Sequence, residues 1–572
     1  MPTKRKVQGA TLLNQKPKSQ VPLPAAEAVT SQELPEQESD AQNENGLDQG
    51  TVETQDLMIY IEAFFSFIYP SPSMGFLHQT LFIQSYEKGE CPLPLLQVVC
   101  GAASLFLPGK DHRECGKSWI EEAERSLLQK LEDPTLVNIQ VILILIFYFS
   151  ATRQLRKVMV YLSLGVRLAY LSQLNYEHQT FSAAVRETRR RLMWALYVQD
   201  KFYSAGLPDF TLCAPETIHI NLPCTEVDFA LELDTETERL VPRADKISSV
   251  KLGPLAYYIK LLDIRNRVLR YTRKLIIAGV PPPELQRQFE EFDHELEHFH
   301  RMLPEEFQFG ERTMVLHAHS PFRRTIIMIE IWWHQCFCDL YRIVFENFRE
   351  AVADTILNTI PESYIYSCRK RAFNHAMKLV GIFETISKLG SRGQYIVTES
   401  YLGTNAYQCA RIISHAKQLS PDDNVIADEE IIRSLTICHD VLTELRGVYT
   451  YFHNIQNDIS KMIASSQARI NGDYSSMEPR RETSPEQEHV GTLSAIHGKI
   501  LSKHGFVDAI SSGSGAEPIC KATEAGASGQ VPDNMGENLA QLDNWDQTWM
   551  RGWIDPLTMG EFDYSFDDII GA

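Results

Sequence analysis

The stretch that decides the fold runs from residue 187 to residue 223 and reads ETRRRLMWALYVQDKFYSAGLPDFTLCAPETIHINLP. Its first half predicts one helix, because apolar side chains recur there at intervals of three and four residues. Gly206 and Pro208 end that helix, since both residues disfavour further helical turns. Glu187 lies in the first turn, where a carboxylate is favoured and can pair with Arg191 one turn later.

The other charges of this helix also have structural interpretations. Asp200 and Lys201 lie at the edge of the apolar face, where we expect a structural ion pair. Arg186 and the run 189–191 could bind phosphate. A run of like charges usually faces solvent, so we interpret these arginines as a solvated helix start.

The helical pattern continues in both directions and predicts an all-α fold. We find no alternation of apolar and polar residues long enough for a sheet. The run 141–149 would rise about 14 Å as a helix, less than half of the ~30 Å hydrocarbon core of a bilayer, and is interpreted as a buried core helix. We call residues 187–223 the signature stretch. The predicted helices fall before Pro70, at 93–107, as three in the stretch 119–174, in the first half of the signature stretch, and at 253–277, 284–303, 320–348, 363–388, 397–418 and 427–466.

Composition divides the chain into one large multi-helical domain with disordered N- and C-terminal flanks. Residues 1–55 carry few large apolar groups and are expected to be disordered. The helical domain is predicted at 56–466, and a flexible linker rich in Ser, Gly and Glu at 467–535. Residues 536–572 form an acidic-aromatic segment. Within the first flank, Lys4, Arg5 and Lys6 form a short basic run that resembles a nuclear import signal or is only a solvated charge run.

The acidic-aromatic segment has the composition of an activation segment. Between residues 542 and 570 it holds three Trp, two Phe and one Tyr among seven acidic groups. Such a segment can fold as a short amphipathic helix in a groove of a partner protein. The alternative is a tail that docks on its own domain. The expected contacts are Trp545, Trp549, Trp553, Phe562, Tyr564 and Phe566.

Charge and cysteine usage narrow the function classes. The formal net charge of −19 argues against a surface that grips nucleic acid, because phosphate binding needs clustered Lys and Arg. The eleven cysteines are irregularly spaced and are expected to be reduced intracellular thiols. Cys336 and Cys338 lie in an apolar helix, where we expect small buried thiols rather than metal ligands.

One catalytic motif competes with a non-catalytic interpretation. His294, Glu295 and His298 fit H-E-x-x-H, in which two histidines one turn apart bind zinc and the glutamate acts as base. The surrounding helix is heavily charged, whereas a catalytic zinc needs a dry cleft. A zinc-dependent peptidase therefore stays the enzymatic alternative, with a non-transcriptional helical scaffold as a third class. Our expectation is no catalytic residue and no metal ligand.

The signature stretch resembles the middle regulatory domain of fungal zinc-cluster transcription factors. In that family an E-x-x-R-R run opens a helix that carries a Trp and an Asp, followed by a Ser, a G-x-P and a Leu-Pro. The matching positions here are Glu187, Arg190, Arg191, Trp194, Asp200, Ser204, Gly206, Pro208, Leu222 and Pro223. The resemblance implies a nuclear transcriptional regulator that controls a metabolic or secondary-metabolite gene set, with its helical domain acting through dimerisation or a small effector.

The resemblance also implies a DNA-reading zinc cluster of six cysteines, usually placed before the middle domain. No cysteine precedes Cys91. Three explanations stay open: action through a DNA-bound partner regulator, a lost upstream exon, or a non-transcriptional role. We therefore expect no cofactor, with zinc only if such a cluster exists, and indirect contact with DNA through a partner regulator or as a homodimer. No membrane contact is expected.

Overall fold

The computed structural model describes residues 54–471, with gaps at 242–250, 279–281, 321, 347, 349, 353, 391–398, 417–418, 420–426 and 450–451. The predictions for the basic run at Lys4, the linker and the acidic-aromatic segment lie outside the described residues. The chain divides into residues 1–56 and residues 57–572. Of the first unit only residues 54–56 are described.

The fold is all-α, as the sequence predicts. The described residues form seventeen α-helices and no β-strand, apart from one isolated bridge between Asn221 and Arg239. The first eight are α1 Thr54–Ala63, α2 Gln79–Glu87, α3 Leu93–Ala103, α4 Lys110–Gln129, α5 Leu136–Ala151, α6 Leu155–Leu171, α7 Ala183–Ser204 and α8 Glu226–Ala230. The others are α9 Pro254–Ala278, α10 Pro282–Met302, α11 Glu311–Leu316, α12 Arg323–Tyr341, α13 Asp354–Leu357, α14 Glu362–Gly390, α15 Ser400–Ser414, α16 Asp428–Leu445 and α17 His453–Ile470.

Helix α5 is the core helix that its apolar run predicts. Residues 141–146 are all buried, and the helix packs against α3, α6 and α7. The hydroxyl of Thr135 accepts a hydrogen bond from the backbone of Asn138 and caps the first turn. None of the helices in the described part of the chain is long and apolar enough to cross a membrane.

Helix α12 is the second buried helix of the fold. It packs against α9, α10, α14 and α15, and every side chain from Arg324 to Tyr341 is buried. Cys336 and Cys338 lie there as free buried thiols, as predicted. Arg324 donates to the carbonyl oxygens of Ser66 and Phe67, which lie in a π-helical turn that follows α1. The guanidinium thereby provides partners for carbonyls at a helix end just before Pro70.

The predicted single helix 427–466 is wrong. The structure has two helices there, α16 and α17, separated by residues 446–452. Phe452 lies in the break and packs closely on Gly403 of α15, where an added Cβ would fall 2.5 Å from the Phe452 ring. The break places an aromatic ring against a neighbouring helix, a tertiary contact that helical periodicity does not report.

Candidate functional site

The signature stretch folds as a helix followed by an extended segment. Helix α7 is buried between α5, α6 and α9, and the Ser182 side chain caps its start. It ends where Ala205 and Gly206 take left-handed φ angles of 47° and 81°. A Cβ on Gly206 would lie 2.7 Å from the Cβ of Leu269 on α9, so glycine suits both the backbone conformation and the space.

The arginines at the start of α7 are buried, which corrects the prediction of a solvated helix start. Arg186, Arg189, Arg190 and Arg191 are 8% exposed or less. Their partners are carboxylates and carbonyls of the protein itself, so the guanidinium groups do not form a free phosphate site. Apart from Glu187, those partners lie outside α7, and a local charge run does not reveal them.

Arg191 joins three parts of the chain. Its Nε donates to Glu187 Oε1 at 2.8 Å, which confirms the predicted pair. Its terminal nitrogens donate to Glu226 Oε2 at 2.7 Å and to the carbonyls of Gly75 and Cys224 at 2.9 and 3.1 Å. Burial acts to lower the pKa of Arg191, but the charges of Glu226 and Glu187 outweigh it and raise that pKa well above its ordinary value.

Trp194 binds the backbone of Asn221 directly, and Arg190 binds it through Glu177. Arg190 binds both carboxylate oxygens of Glu177, at 2.6 and 3.1 Å. Glu177 also accepts from the Asn221 backbone amide at 3.0 Å, and Trp194 Nε1 donates to the Asn221 carbonyl at 2.7 Å. The bidentate pair fixes the carboxylate in place.

Asp200 and Lys201 perform the same task at the other end of α7. Asp200 accepts from the backbone amides of Leu212 and Cys213 at 2.8 and 3.1 Å. Lys201 donates to Asp200 at 2.9 Å, which confirms the predicted ion pair, and to the carbonyl of Cys213. A segment without a sheet partner thus obtains hydrogen bonds for its buried backbone.

We call Glu187, Arg190, Arg191, Trp194, Asp200 and Lys201 the α7 clasp. All six are at most 6% exposed, and five of them bind backbone groups of residues 212–224 directly. Ser204 and Pro223 are buried beside the clasp, and Pro208 opens a short 3-10 turn, Pro208–Phe210. The sequence does not predict Glu177 and Glu226 as partners. Only Glu226 carries a local signal, because it follows the helix cap Thr225.

An open cleft of about 410 Å³ lies beside residues 212–217, in the segment that the α7 clasp binds. One wall is formed by α6 and the other by residues 212–217, and the Tyr170 hydroxyl lies 2.7 Å from the Thr217 hydroxyl. Its lining residues are Ser163, Val166, Arg167, Tyr170, Leu212, Ala214 and Thr217. Arg167 gives the cleft a single cationic group.

The residues of the H-E-x-x-H motif do not form a site. His294 and His298 are exposed on α10. Glu295 binds Arg267 of α9 with both carboxylate oxygens, at 2.7 and 2.5 Å, and is not poised as a base. Within the described ranges, no group of three or more His, Cys, Asp or Glu residues is placed to hold a metal ion. These contacts count against the peptidase interpretation.

Comparison with known families identifies the domain that contains the clasp. Residues 61–301 match the family model described as "Fungal specific transcription factor domain". Residues 61–301 are a fungal specific transcription factor domain. The clasp lies wholly inside this domain, so the resemblance predicted from the signature stretch is confirmed.

Curated relatives of the chain are also transcription factors. The chain is 19% identical over 445 residues to the Zn(2)-C6 fungal-type transcription factor FTF1c of Fusarium oxysporum, covering 71% of this chain and 46% of that protein. It is 23% identical over 246 residues to a transcriptional regulatory protein of Schizosaccharomyces pombe, C1327.01c, covering 38% and 25%. It is 26% identical over 193 residues to the transcriptional activator protein acu-15 of Neurospora crassa, covering 30% and 20%.

The chain spans less than half the length of these three relatives. No solved structure matches it. The fungal transcription factor domain and the relatives belong to regulators rather than enzymes, in agreement with the sequence-based expectation that the chain is not a catalyst.

Proposed function

We propose that this protein is a nuclear regulator of transcription. The observation that carries the proposal is the fungal specific transcription factor domain at residues 61–301. The names of the relatives support it, since they are transcription factors and a transcriptional activator. The α7 clasp supports a non-catalytic role for the signature residues, because its polar groups are occupied by the backbone of the domain.

The clasp gives the domain a rigid interior on which a regulatory surface can rest. Its charges bind one another and the backbone, so they hold one arrangement of α7 and the segment after it. A partner or small effector then acts on the outside of a fixed frame, for which the cleft beside α6 offers space. Dimerisation of two copies is the second route that we propose for control.

The acidic-aromatic segment is the proposed output of the protein. Its six aromatic residues, Trp545, Trp549, Trp553, Phe562, Tyr564 and Phe566, are proposed to contact transcriptional coactivators. The acidic groups between them keep the aromatic rings in solution until a partner groove buries them. The net charge of −19 supports indirect contact with DNA, through a partner regulator or a second copy of the chain. By analogy with the family, the targets are a metabolic or secondary-metabolite gene set.

A reporter experiment tests the proposed output. The full chain is fused to a heterologous DNA-binding domain, and expression from its cognate promoter is measured. We expect activation that is largely lost when the six aromatic residues become alanine, because the partner groove then has no apolar side chains to bury. The matched control replaces Thr548, Thr558 and Ser565 of the same segment with alanine and keeps activation.

Two results would refute the proposed role of the acidic-aromatic segment in activation. One is a wild-type fusion that is expressed, reaches the nucleus and leaves the reporter silent. The other is activation that survives loss of all six aromatic residues. The protein level of each variant is measured in parallel by immunoblotting, so that a degraded chain is not scored as an inactive one.

A further inference from the structure

The cleft beside α6 has walls that other contacts of the domain hold in place. Asp200 accepts a hydrogen bond from the backbone amide of Leu212 at 2.8 Å, at one end of the segment 212–217. At the other end, the side-chain amide of Asn175 donates to the carbonyl of Thr217 at 3.0 Å. The opposite wall belongs to the regular helix α6. The cleft is therefore formed before a ligand arrives, which lowers the entropic cost of binding.

The hydroxyl groups in the cleft already donate their protons within the protein. The Ser163 hydroxyl donates to a carbonyl of its own helix at 2.9 Å. The Thr217 hydroxyl donates to the carbonyl of Ala214 at 2.7 Å. Because a hydroxyl has only one proton to donate, the bond between Tyr170 and Thr217 uses the proton of Tyr170. Among the side chains that line the cleft, Arg167 alone keeps N–H groups for a ligand.

Arg167 is also the single charged residue of the cleft lining. Its side chain is exposed and forms no ion pair or hydrogen bond with a described residue. Helix α6 contains no acidic residue, and Glu216 of the facing turn is exposed but lies outside the lining. A guanidinium offers a planar fork of N–H donors that matches the two oxygens of one carboxylate. The cleft is therefore suited to a ligand with one negative charge.

The rest of the lining is largely apolar. Val166 and the ring of Tyr170 lie on the α6 side, and Leu212 and Ala214 lie on the other. The lining residues of α6 span two helical turns, or about 10 Å along the helix axis. The volume of about 410 Å³ falls within the range of roughly 300–1,000 Å³ that is typical of small-molecule sites. A ligand that fits has an apolar body to cover these walls.

We propose that the cleft beside α6 binds a small monocarboxylic acid with an apolar body, whose carboxylate pairs with the guanidinium of Arg167. A phosphate dianion is disfavoured, because the lining offers one cation and no second side-chain donor. The bound acid contacts both α6 and the segment that the α7 clasp holds, so it stabilises one arrangement of the two. Its role as an effector rests on the proposed function, whereas its binding to the purified chain does not.

Titration of the purified full chain with hexanoate, at neutral pH and constant ionic strength, tests this site. Saturation-transfer NMR on the methyl signal of hexanoate reports the binding. We expect a saturable curve. Acetate lacks the apolar body and hexanamide lacks the charge, so each is expected to bind roughly tenfold more weakly or worse. The measurement includes neither DNA nor a reporter, so a failure here leaves the proposed regulation of transcription untouched, and the reverse also holds.

Variants of α6 separate the site from nonspecific binding of an apolar anion. Arg167→Gln removes the charge at an exposed position, so hexanoate is expected to bind roughly tenfold more weakly while hexanamide binds as before. Ser163→Phe fills the cleft from an exposed position and is expected to lose both ligands. Arg156→Gln, at an exposed position of α6 outside the lining, retains the wild-type affinity. Thermal melting in buffer checks that each variant is folded.

Three outcomes would overturn the proposal. The first is a wild-type chain that shows no saturable binding of hexanoate. The second is an Arg167→Gln chain that binds hexanoate as tightly as wild type does. The third is a wild-type chain that binds hexanamide as tightly as hexanoate, which would show that the cleft does not recognise the carboxylate. Inorganic phosphate serves as a competitor, and displacement of hexanoate by an equal concentration of phosphate would also contradict the assignment.

Discussion

At the scale of single residues, the clasp explains why the charged side chains of α7 are buried. Arg191 is 2% exposed and is bound to Glu187, Glu226 and two backbone carbonyls. Buried charges are tolerated when every partner is present and become costly when one is removed. The clasp is therefore a sensitive point of the fold.

Removing Arg191 is the first prediction. Arg191→Met leaves the buried Glu187 and the half-buried Glu226 without their shared cation, and we expect the free energy of unfolding to fall by about 3–5 kcal/mol. Urea unfolding followed by circular dichroism measures it. The control is Glu121→Gln, which removes an exposed ion pair with Lys117 and should leave stability nearly unchanged. A loss in Arg191→Met no larger than in this control would contradict the clasp.

Gly206 gives the second prediction at this scale. Gly206→Ala puts a Cβ at a φ of 81° and within 2.7 Å of Leu269, so we expect a loss of at least about 2 kcal/mol. Gly381→Ala is the matched control, because that helical glycine has no atom within 4 Å of an added Cβ. It should raise stability by about 0.5–1 kcal/mol. Similar effects of both substitutions in urea unfolding would show that Gly206 is not constrained.

At the scale of helices, a histidine cluster between α10, α12 and α14 makes the stability of the fold depend on pH. His375 of α14 stacks on Phe337, and its Nδ1 lies 2.8 Å from His334 Nδ1. The carboxylate of Glu330 contacts His334 at 3.4 Å and His300 at 3.2 Å. Burial, followed by the charges of His334 and Arg371, lowers the pKa of His375 to about 3 from 6.5, while Glu330 and Lys378 act on it more weakly.

The direction of the pH effect follows from this pKa. Between pH 6.5 and 3 the unfolded chain binds a proton at His375 that the folded chain does not, so stability is lost as the pH falls. In His375→Asn we expect the free energy of unfolding to depend less steeply on pH, by about 1.4 kcal/mol per pH unit between about pH 6 and 4. His298→Asn, at an exposed position of α10, keeps that slope. Equal slopes for both variants in urea unfolding would contradict the assignment.

The sequence predicts helices well and their contacts poorly. The apolar periodicity places α6, α7 and α9 within a few residues of their observed bounds, and the pairs Glu187–Arg191 and Asp200–Lys201 are local enough to be predicted. The burial of Arg189 and the break that contains Phe452 depend on groups in other segments of the chain. A periodic pattern carries no information on such partners.

At the scale of the whole molecule, the chain combines a helical domain with an acidic-aromatic segment of very different composition. The described helices form a packed domain in which the charged groups of the α7 clasp bind one another and backbone groups of the domain. The acidic-aromatic segment has the composition of a chain that gains order only on a partner. In the proposed function, the domain receives a signal and the segment passes it on to a partner. An enzyme would instead need a cleft with poised catalytic groups.

Occupancy of the tagged full chain on chromatin in its own host cells tests most directly whether this protein regulates transcription. Cross-linking and immunoprecipitation with sequencing, combined with transcript levels after deletion of the gene, would show where the protein acts. We predict enrichment at a limited set of promoters whose genes change expression on deletion. A chain that is present in the cells but enriched at no promoter, with unchanged transcripts after deletion, would contradict a role in the regulation of transcription.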